Sequence, residues 1–298
     1  LGTTSFYSVK YILQAQHELI AIAVVDCIEQ IDNSRTASDD LGRDRALKAL
    51  QLLPVLFTLL PPDSQTNHAR VIALRTQQWV DGNFALLIAD YLSDCALPAS
   101  DWPVGNNTAS SRDRDERTAR RAVHLMEEGS LSRARREMTS NGLHDHSDPN
   151  VLAALASKHP QTRKPIDSTF LADPNFPRIK IDPDILMTAI RELDHLAAPG
   201  TSPWNNTFLL AISQIISFKT PRAKQIILSL TRYGELFVNG NLPSWLYYLA
   251  TAVRNVSLKK PDGGLRPIGM GCSLRAVLTK AVMHEGVSRK IATVVGPQ

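Results

Sequence analysis

Cysteine is scarce in this chain of 298 residues. The three cysteines, Cys27, Cys95 and Cys272, are far apart, and no two of them form a CxxC motif. That spacing argues against a disulfide scaffold and against a cysteine-based zinc site. We therefore expect buried free thiols and an intracellular, reducing compartment.

Long hydrophobic runs are also lacking. A membrane-spanning helix needs roughly 18 or more consecutive apolar residues. The most apolar stretch, 47–60, is interrupted by Lys48, Gln51 and Pro54. With 43% hydrophobic and 21% charged residues, the chain has the composition of a globular protein with a sizeable core, and we expect no membrane partner.

Charge is nearly balanced over most of the chain and accumulates at one end. Residues 251–298 contain eight lysines and arginines against Asp262 and Glu285, a net charge of +6 where the whole chain carries +4. A basic C-terminal portion on a nearly neutral body indicates a polyanionic partner. The alternative is that these cations lie on ordinary solvated helix faces.

Apolar residues at helical spacing predict helices throughout the first half of the chain. We expect three long helices, at about 8–31, 41–60 and 67–94. A polar loop at 32–40 joins the first two, and the prolines at 61–62 end the second. A turn-rich linker follows at 96–111, and then two short helices within 112–138 that are broken at Gly129-Ser130.

The second half begins with an extended, proline-containing connector at 157–183. Asp182-Pro183 then supplies an N-cap and a first-turn proline. We predict helices at about 206–218, from Pro221 to about Asn239, over a short segment near 244–250, and at about 273–294. The first strand signal lies at about 251–259, and its partner at 265–270. Three consecutive segments result: a helical N-terminal extension (1–111), helical pairs with the connector (112–183), and a C-terminal segment (184–298).

One cluster suggests a metal site. His144, Asp145 and His146 are adjacent in sequence. Neighbouring residues point in different directions, and no further ligand has suitable spacing. We therefore predict no metal site there.

The sequence "KKPDGGLRPIGMG" at 259–271 carries the clearest functional signal. Its glycines allow a tight reversal at positive φ, which would place Lys260 and Arg266 near one another on facing strands. A lysine offers a point charge and an arginine a planar fork, a combination suited to a triphosphate or to RNA phosphates.

The longer segment "LKKPDGGLRPIGMGCSLRAVLTKAV" resembles the fingers of reverse transcriptases, in particular those of non-LTR retrotransposons and group II introns. The resemblance implies a mainly α fold, with a helical extension before a partial fingers subdomain that contains a β-hairpin. It implies that Lys260 and Arg266 bind triphosphate or RNA phosphate. Lys259, Arg275 and Lys280 would contact the RNA backbone.

Upstream segments extend the resemblance to about residue 40. "LDHLAAPGTSPWNNTFLLAI" looks like the segment before the fingers, and "MEEGSLSRARREMTSNGLHDHSDPNVLAALASKHP" is similar to the region before the polymerase domain of retrotransposon reading frames. "ALKALQLLPVLFTLLPP" and "RTQQWVDGNFALLIADY" look like the more distal extension.

Catalysis in that family requires palm carboxylates that hold two metal ions. The sequence has none in the expected order after the fingers, and its only Asp-Asp, Asp39-Asp40, lies far upstream. We therefore expect no catalytic residues and no cofactor, with Mg²⁺ needed only if another chain or a continuation supplies a palm.

Three functions remain open at this stage. The first is a non-catalytic protein derived from a reverse transcriptase that binds RNA or acts as a scaffold, with other proteins, in a ribonucleoprotein. A mitochondrial or other organellar ribosome is one such assembly. The second is a fragment of an active RNA-directed DNA polymerase whose palm lies outside this chain. The third is a helical scaffold for protein interactions, in which the C-terminal charge is incidental. We favour the first.

Overall fold

The computed structural model describes residues 14–58, 68–96, 111–127, 129–139, 142–145, 148–158, 178–194, 197–198, 200–217, 221–260 and 262–283. These residues form twelve helices and one two-stranded antiparallel sheet, so the predicted mainly α fold with a β-hairpin is confirmed. The assignment to reverse-transcriptase fingers stays a prediction.

The described residues divide into two compact units, each discontinuous in sequence. The first, here called the helical unit, comprises Leu1–Pro98, Asn175–Val253 and Met270–Gln298. The second, here called the hairpin unit, comprises Ala99–Pro174 and Arg254–Gly269. The three consecutive segments read from the sequence stay a prediction, and both units draw on distant parts of the chain.

Nine described helices belong to the helical unit. Their bounds are α1 Gln14–Thr36, α2 Asp40–Thr58, α3 His68–Val80, α4 Phe84–Ala96, α8 Pro183–Arg191, α9 Asn206–Ser217, α10 Pro221–Val238, α11 Ser244–Thr251 and α12 Ser273–Val282. Helix α1 lies at the centre and packs against α2, α3, α9 and α10. Its apolar residues recur at helical spacing and are at most 2% exposed: Ile20, Val24, Ile28 and Ile31.

The hairpin unit contains three helices and most of the sheet. Its elements are α5 Ser111–Glu127, α6 Leu131–Thr139, α7 Pro149–Lys158, β1 Arg254–Lys259 and β2 Leu265–Met270, whose last residue belongs to the helical unit. Helices α5 and α6 pack against each other. Ala122 and Ala134 are buried on these two helices.

A proline lies inside α2, where it removes a backbone donor. Pro54 has no N–H to offer the carbonyl of Leu50, four residues earlier. The indole Nε1–H of Trp204 donates to that carbonyl oxygen instead, at 2.8 Å. Leu50 and Trp204 are both 0% exposed, so this bond satisfies a carbonyl that water cannot reach. The helix therefore continues through its proline with the help of a side chain from a distant segment.

Glycines in the left-handed region end three of the helices. The N–H of Gly82 donates to Trp79 O at 3.0 Å and that of Asn83 donates to Gln78 O at 2.8 Å, which is the Schellman arrangement, with Gly82 at φ +74°. The prediction of one helix over 67–94 was therefore wrong, because Gly82 ends α3 and α4 begins after it. Gly129 and Gly240 end α5 and α10 in the same way, and both of these breaks had been predicted.

The predicted polar loop at 32–40 was too long, because α1 continues to Thr36. Asp32 accepts a hydrogen bond from Arg232 Nε of α10 at 3.0 Å, and Thr36 Oγ1 donates to the Asp32 carbonyl at 2.9 Å. These polar residues form the solvent-facing last turns of the helix. Residues 37–39 make the connection to α2.

Other predictions for the second half are confirmed. Asp182 caps α8 by accepting from the N–H groups of Asp184 and Ile185, with Pro183 at the first helical position. Helices α9, α10 and α11 and the strand pair lie within a few residues of their predicted bounds. Predictions for 8–13, 59–67, 97–110, 159–177 and 284–294 lie outside the described residues. No helix in the described part of the chain is long and apolar enough to cross a membrane.

Candidate functional site

The turn at the tip of the hairpin is a three-residue loop closed by two backbone hydrogen bonds. The N–H of Gly263 donates to Lys260 O at 3.0 Å, and the N–H of Lys260 donates to Gly264 O at 2.8 Å. Gly263 has φ +78°, the left-handed position that this loop class requires. Asp262 Oδ1 accepts from the Gly264 N–H at 2.9 Å and stiffens the loop further. The predicted glycine turn is confirmed.

The register of the hairpin decides which side chains share a face. The two strands have equal length, and the bonded pair of Lys260 and Gly264 adjoins them, so Arg266 lies opposite Leu258. Lys260 and Arg266 are then diagonal neighbours on one face, a relationship that separates Cα atoms by about 7–8 Å. The structure therefore brings together the two residues that the sequence singled out.

Both of these cations are available for an external anion. Arg266 is exposed, and Lys260 is partly buried because its stem crosses the turn, with Cδ lying 3.4 Å from where a Cβ on Gly264 would be. Among the residues that the structure describes, no carboxylate forms an ion pair with either side chain. The hairpin tip thus presents two positive charges on one face, beside a loop whose backbone is held by hydrogen bonds.

A short third segment covers the outer edge of β1. Leu143 forms an antiparallel bridge with Leu258, His144 N–H donates to Ser257 O at 2.9 Å, and Lys259 N–H donates to Gly142 O at 3.1 Å. Sequence reasoning found no strand signal here. This pairing places β1 between β2 and residues 142–144, so these residues support the hairpin along its β1 edge.

Lys259 lies on the other face of the hairpin. Strand side chains alternate, so Lys259 shares its face with Ser257 and Leu265, both of which are buried, while Lys259 itself is exposed. The structure therefore separates Lys259 from the pair formed by Lys260 and Arg266. Its contact with an RNA backbone stays a prediction.

The remaining two predicted cations, Arg275 and Lys280, belong to α12 in the helical unit. They line an open depression of about 620 Å³ together with Gly271, Cys272, Ala276 and Thr279. The guanidinium of Arg275 lies over Gly271, where an added Cβ would meet Nη2 at 3.0 Å. Arg275 is half-buried, and among the described residues it has no acidic partner.

The backbone just before α12 is tightly packed. A Cβ on Gly200 would overlap the carbonyl oxygen of Gly271, so the two chain segments touch backbone to backbone. Next to it, Thr201 Oγ1 donates to Ala252 O at 3.1 Å. Ala252 precedes β1 and Gly271 follows β2, so residues 200–201 contact the parts of the helical unit that come just before and just after the hairpin in sequence.

Among the described residues, Lys280 differs from the other four predicted cations because it has an acidic partner. Its ammonium group forms an ion pair with the carboxylate of Glu192, the C-cap residue of α8. The two side chains are 47% and 54% exposed, so solvent reaches both. Sequence reasoning missed Glu192, since nothing in the spacing of two distant residues indicates that α8 and α12 pack together.

Metal ligands are not clustered in the described part of the chain, where no three His, Cys, Asp or Glu side chains are placed to hold an ion. His146, one of the residues considered from the sequence, lies outside the described residues.

The fold and the site together define a mainly helical protein with a basic β-hairpin. Comparison with protein-family models, with curated proteins and with solved structures finds no match to this chain.

Proposed function

We propose that this protein binds RNA phosphates through Lys260 and Arg266, as a non-catalytic component of a ribonucleoprotein that derives from a reverse transcriptase. In this proposal, the rigid loop presents the two cations, and the phosphates of a single strand lie across the face that they share. Neither residue acts as an acid or base. Both bind phosphate through ion pairs and hydrogen bonds.

The observation that carries the proposal is the common face of Lys260 and Arg266. Two cations that flank a loop by chance fall on opposite faces as often as on the same face, because side chains alternate along a strand. Here the register puts both on one side, and no described carboxylate neutralises them. A lysine and an arginine so placed suit an RNA backbone, since the flexible ammonium and the planar fork can each hold phosphate oxygens.

The charge distribution supports the same partner. Residues 251–298, which include the hairpin and α12, carry a net charge of +6. Each RNA phosphate that a cation neutralises increases the affinity, because condensed counterions are released into solution.

The direct test is binding of a fluorescent 20-nucleotide RNA to the full chain and to the double variant Lys260→Gln, Arg266→Gln. Glutamine keeps the side-chain stems, so the loop packing is preserved. Loss of two exposed charged contacts should weaken binding about tenfold at low salt, since each is worth roughly 0.7 kcal/mol. The slope of log K against log salt should become shallower by about 1.4, at about 0.7 for each single-strand phosphate.

A matched control removes the same charge types elsewhere. Lys224 and Arg178 are exposed residues of the helical unit, so the variant Lys224→Gln, Arg178→Gln has the same net charge. It should bind RNA nearly as tightly as the unaltered protein. Equal losses in the two double variants would refute a specific hairpin site. Binding of a nucleoside triphosphate without binding of RNA would instead assign the site to a nucleotide.

A further inference from the structure

We infer that Glu192 attenuates anion binding at the α12 depression, by holding Lys280 in an ion pair that a phosphate has to displace. The inference rests on the proposed binding of RNA and identifies a residue that sets its strength. Three observations lead to it: the pair itself, its cost to α8, and its place at the edge of the depression.

The pair contributes little to stability. Both side chains are about half exposed, and ion pairs of this kind are worth roughly 0–1 kcal/mol. Glu192 is moreover the C-cap residue of α8, at the end of the helix where the backbone dipole disfavours a negative charge. A carboxylate there offsets some of the stability that the ion pair contributes.

The pair also changes the charge that the depression presents. Lys280 and Arg275 both line the depression, and Arg275 has no acidic partner among the described residues. Glu192 neutralises one of these two cations. Its carboxylate would also lie near any phosphate that Lys280 held, so it would repel the phosphate as well as compete for the ammonium group.

The size of the effect follows from Coulomb's law. A phosphate about 6 Å from a carboxylate in water is repelled strongly enough to lower its affinity about threefold. Removing the carboxylate charge also frees Lys280 for one additional phosphate, which should steepen the salt slope by about 0.7.

The test uses Glu192→Gln in the full chain, with the same 20-nucleotide RNA. Glutamine keeps the side-chain size, and the thermal unfolding midpoint of the protein, followed by circular dichroism, should change little. RNA affinity should rise about threefold at low salt. Asp184→Asn is the matched control, because Asp184 is an exposed acid on the same helix and the substitution changes net charge by the same amount.

The background of Lys280→Gln separates the proposed mechanism from a general charge effect. The gain from Glu192→Gln should disappear there, because no ammonium group remains to hold a phosphate beside the carboxylate. A gain that persists in that background, or an equal gain in Asp184→Asn, would overturn the inference. If the unaltered protein binds RNA and loses affinity in the hairpin variant while Glu192→Gln changes nothing, the inference is wrong and the proposed function stands. If no variant binds RNA, both are wrong.

Discussion

Replacing Trp204 by phenylalanine should destabilise the helical unit more than the loss of a few ring atoms explains. The indole N–H donates to the Leu50 carbonyl at 2.8 Å, in a fully buried site. In most helices the residue four positions later would supply a donor to that carbonyl. Here that residue is Pro54, which has no N–H. Phenylalanine would remove the donor while keeping an aromatic ring near Phe208, whose centroid is 5.2 Å from that of Trp204.

The magnitude has two parts. A buried carbonyl that loses its donor costs about 1–3 kcal/mol, and the smaller ring leaves a void that costs roughly 1 kcal/mol more. The sum, about 2–4 kcal/mol, corresponds to a fall of about 1 M or more in the urea midpoint for an m-value near 2 kcal/mol/M. The measurement is urea unfolding of the full chain, followed by far-ultraviolet circular dichroism.

Trp245→Phe is the matched control. Its indole N–H donates to Asp44 Oδ1 at 3.3 Å, and both residues are only partly buried. Water can replace that donor, so we expect a loss of about 1 kcal/mol or less. The two Trp→Phe substitutions thus compare the stability lost at a buried acceptor, the Leu50 carbonyl, with that lost at a partly buried one, the Asp44 carboxylate.

Pro54→Ala supplies the decisive comparison. Alanine restores an N–H that can reach Leu50 O, so it should recover more stability in the Trp204→Phe background than it adds to the unaltered protein. The gain in helix propensity is common to both backgrounds and cancels in the double-mutant cycle. A coupling energy near zero, or equal losses for Trp204→Phe and Trp245→Phe, would refute the reasoning.

Two further predictions concern the helical unit. Gly200→Ala should lower the free energy of unfolding by roughly 2 kcal/mol or more in the same urea assay, because its Cβ would overlap the Gly271 carbonyl. Gly271→Ala should cost less, since its Cβ would meet only the movable end of Arg275, and equal costs would contradict the proposed backbone contact. Burial, and then the charge of Asp26, raise the pKa of the Cys27 thiol from 9.0 to about 12. The folded protein therefore keeps a proton that the unfolded chain releases, so stability should fall as pH rises from 9 to about 12, and Cys27→Ala should weaken that pH dependence if the reasoning holds.

Local signals predicted a large part of this fold. Gly129, Gly240 and Gly263 all adopt the positive φ that ends a helix or closes a turn, and Asp182 caps its helix as its sequence context indicated. Such features depend on a few neighbouring residues, so the sequence contains the information needed. Gly82 follows the same rule, and could have been recognised as the end of α3 from its place after Val80 and Asp81.

Long-range contacts could not be predicted in this way. Trp204 and Leu50 are 154 positions apart, and the presence of a proline in α2 says that a carbonyl needs a donor without saying which residue provides it. The pairing of residues 142–144 with β1 also depends on a tertiary contact, and no alternation of apolar and polar residues marks so short a segment.

The five cations predicted from the sequence show both situations. Lys260 and Arg266 are separated by one turn, so a hairpin register was enough to place them on a common face. Lys280 was predicted as an RNA contact from a linear motif that shows no partner for it. In the structure, α8 packs against α12, and Lys280 forms an ion pair with Glu192. The number of cations in the sequence therefore overestimates the positive charge at α12, where Glu192 neutralises one of them. At the hairpin tip, no described carboxylate reduces that number. For that reason, the hairpin variant tests whether RNA binds at Lys260 and Arg266. The Glu192 variant tests how strongly the α12 depression contributes to RNA affinity.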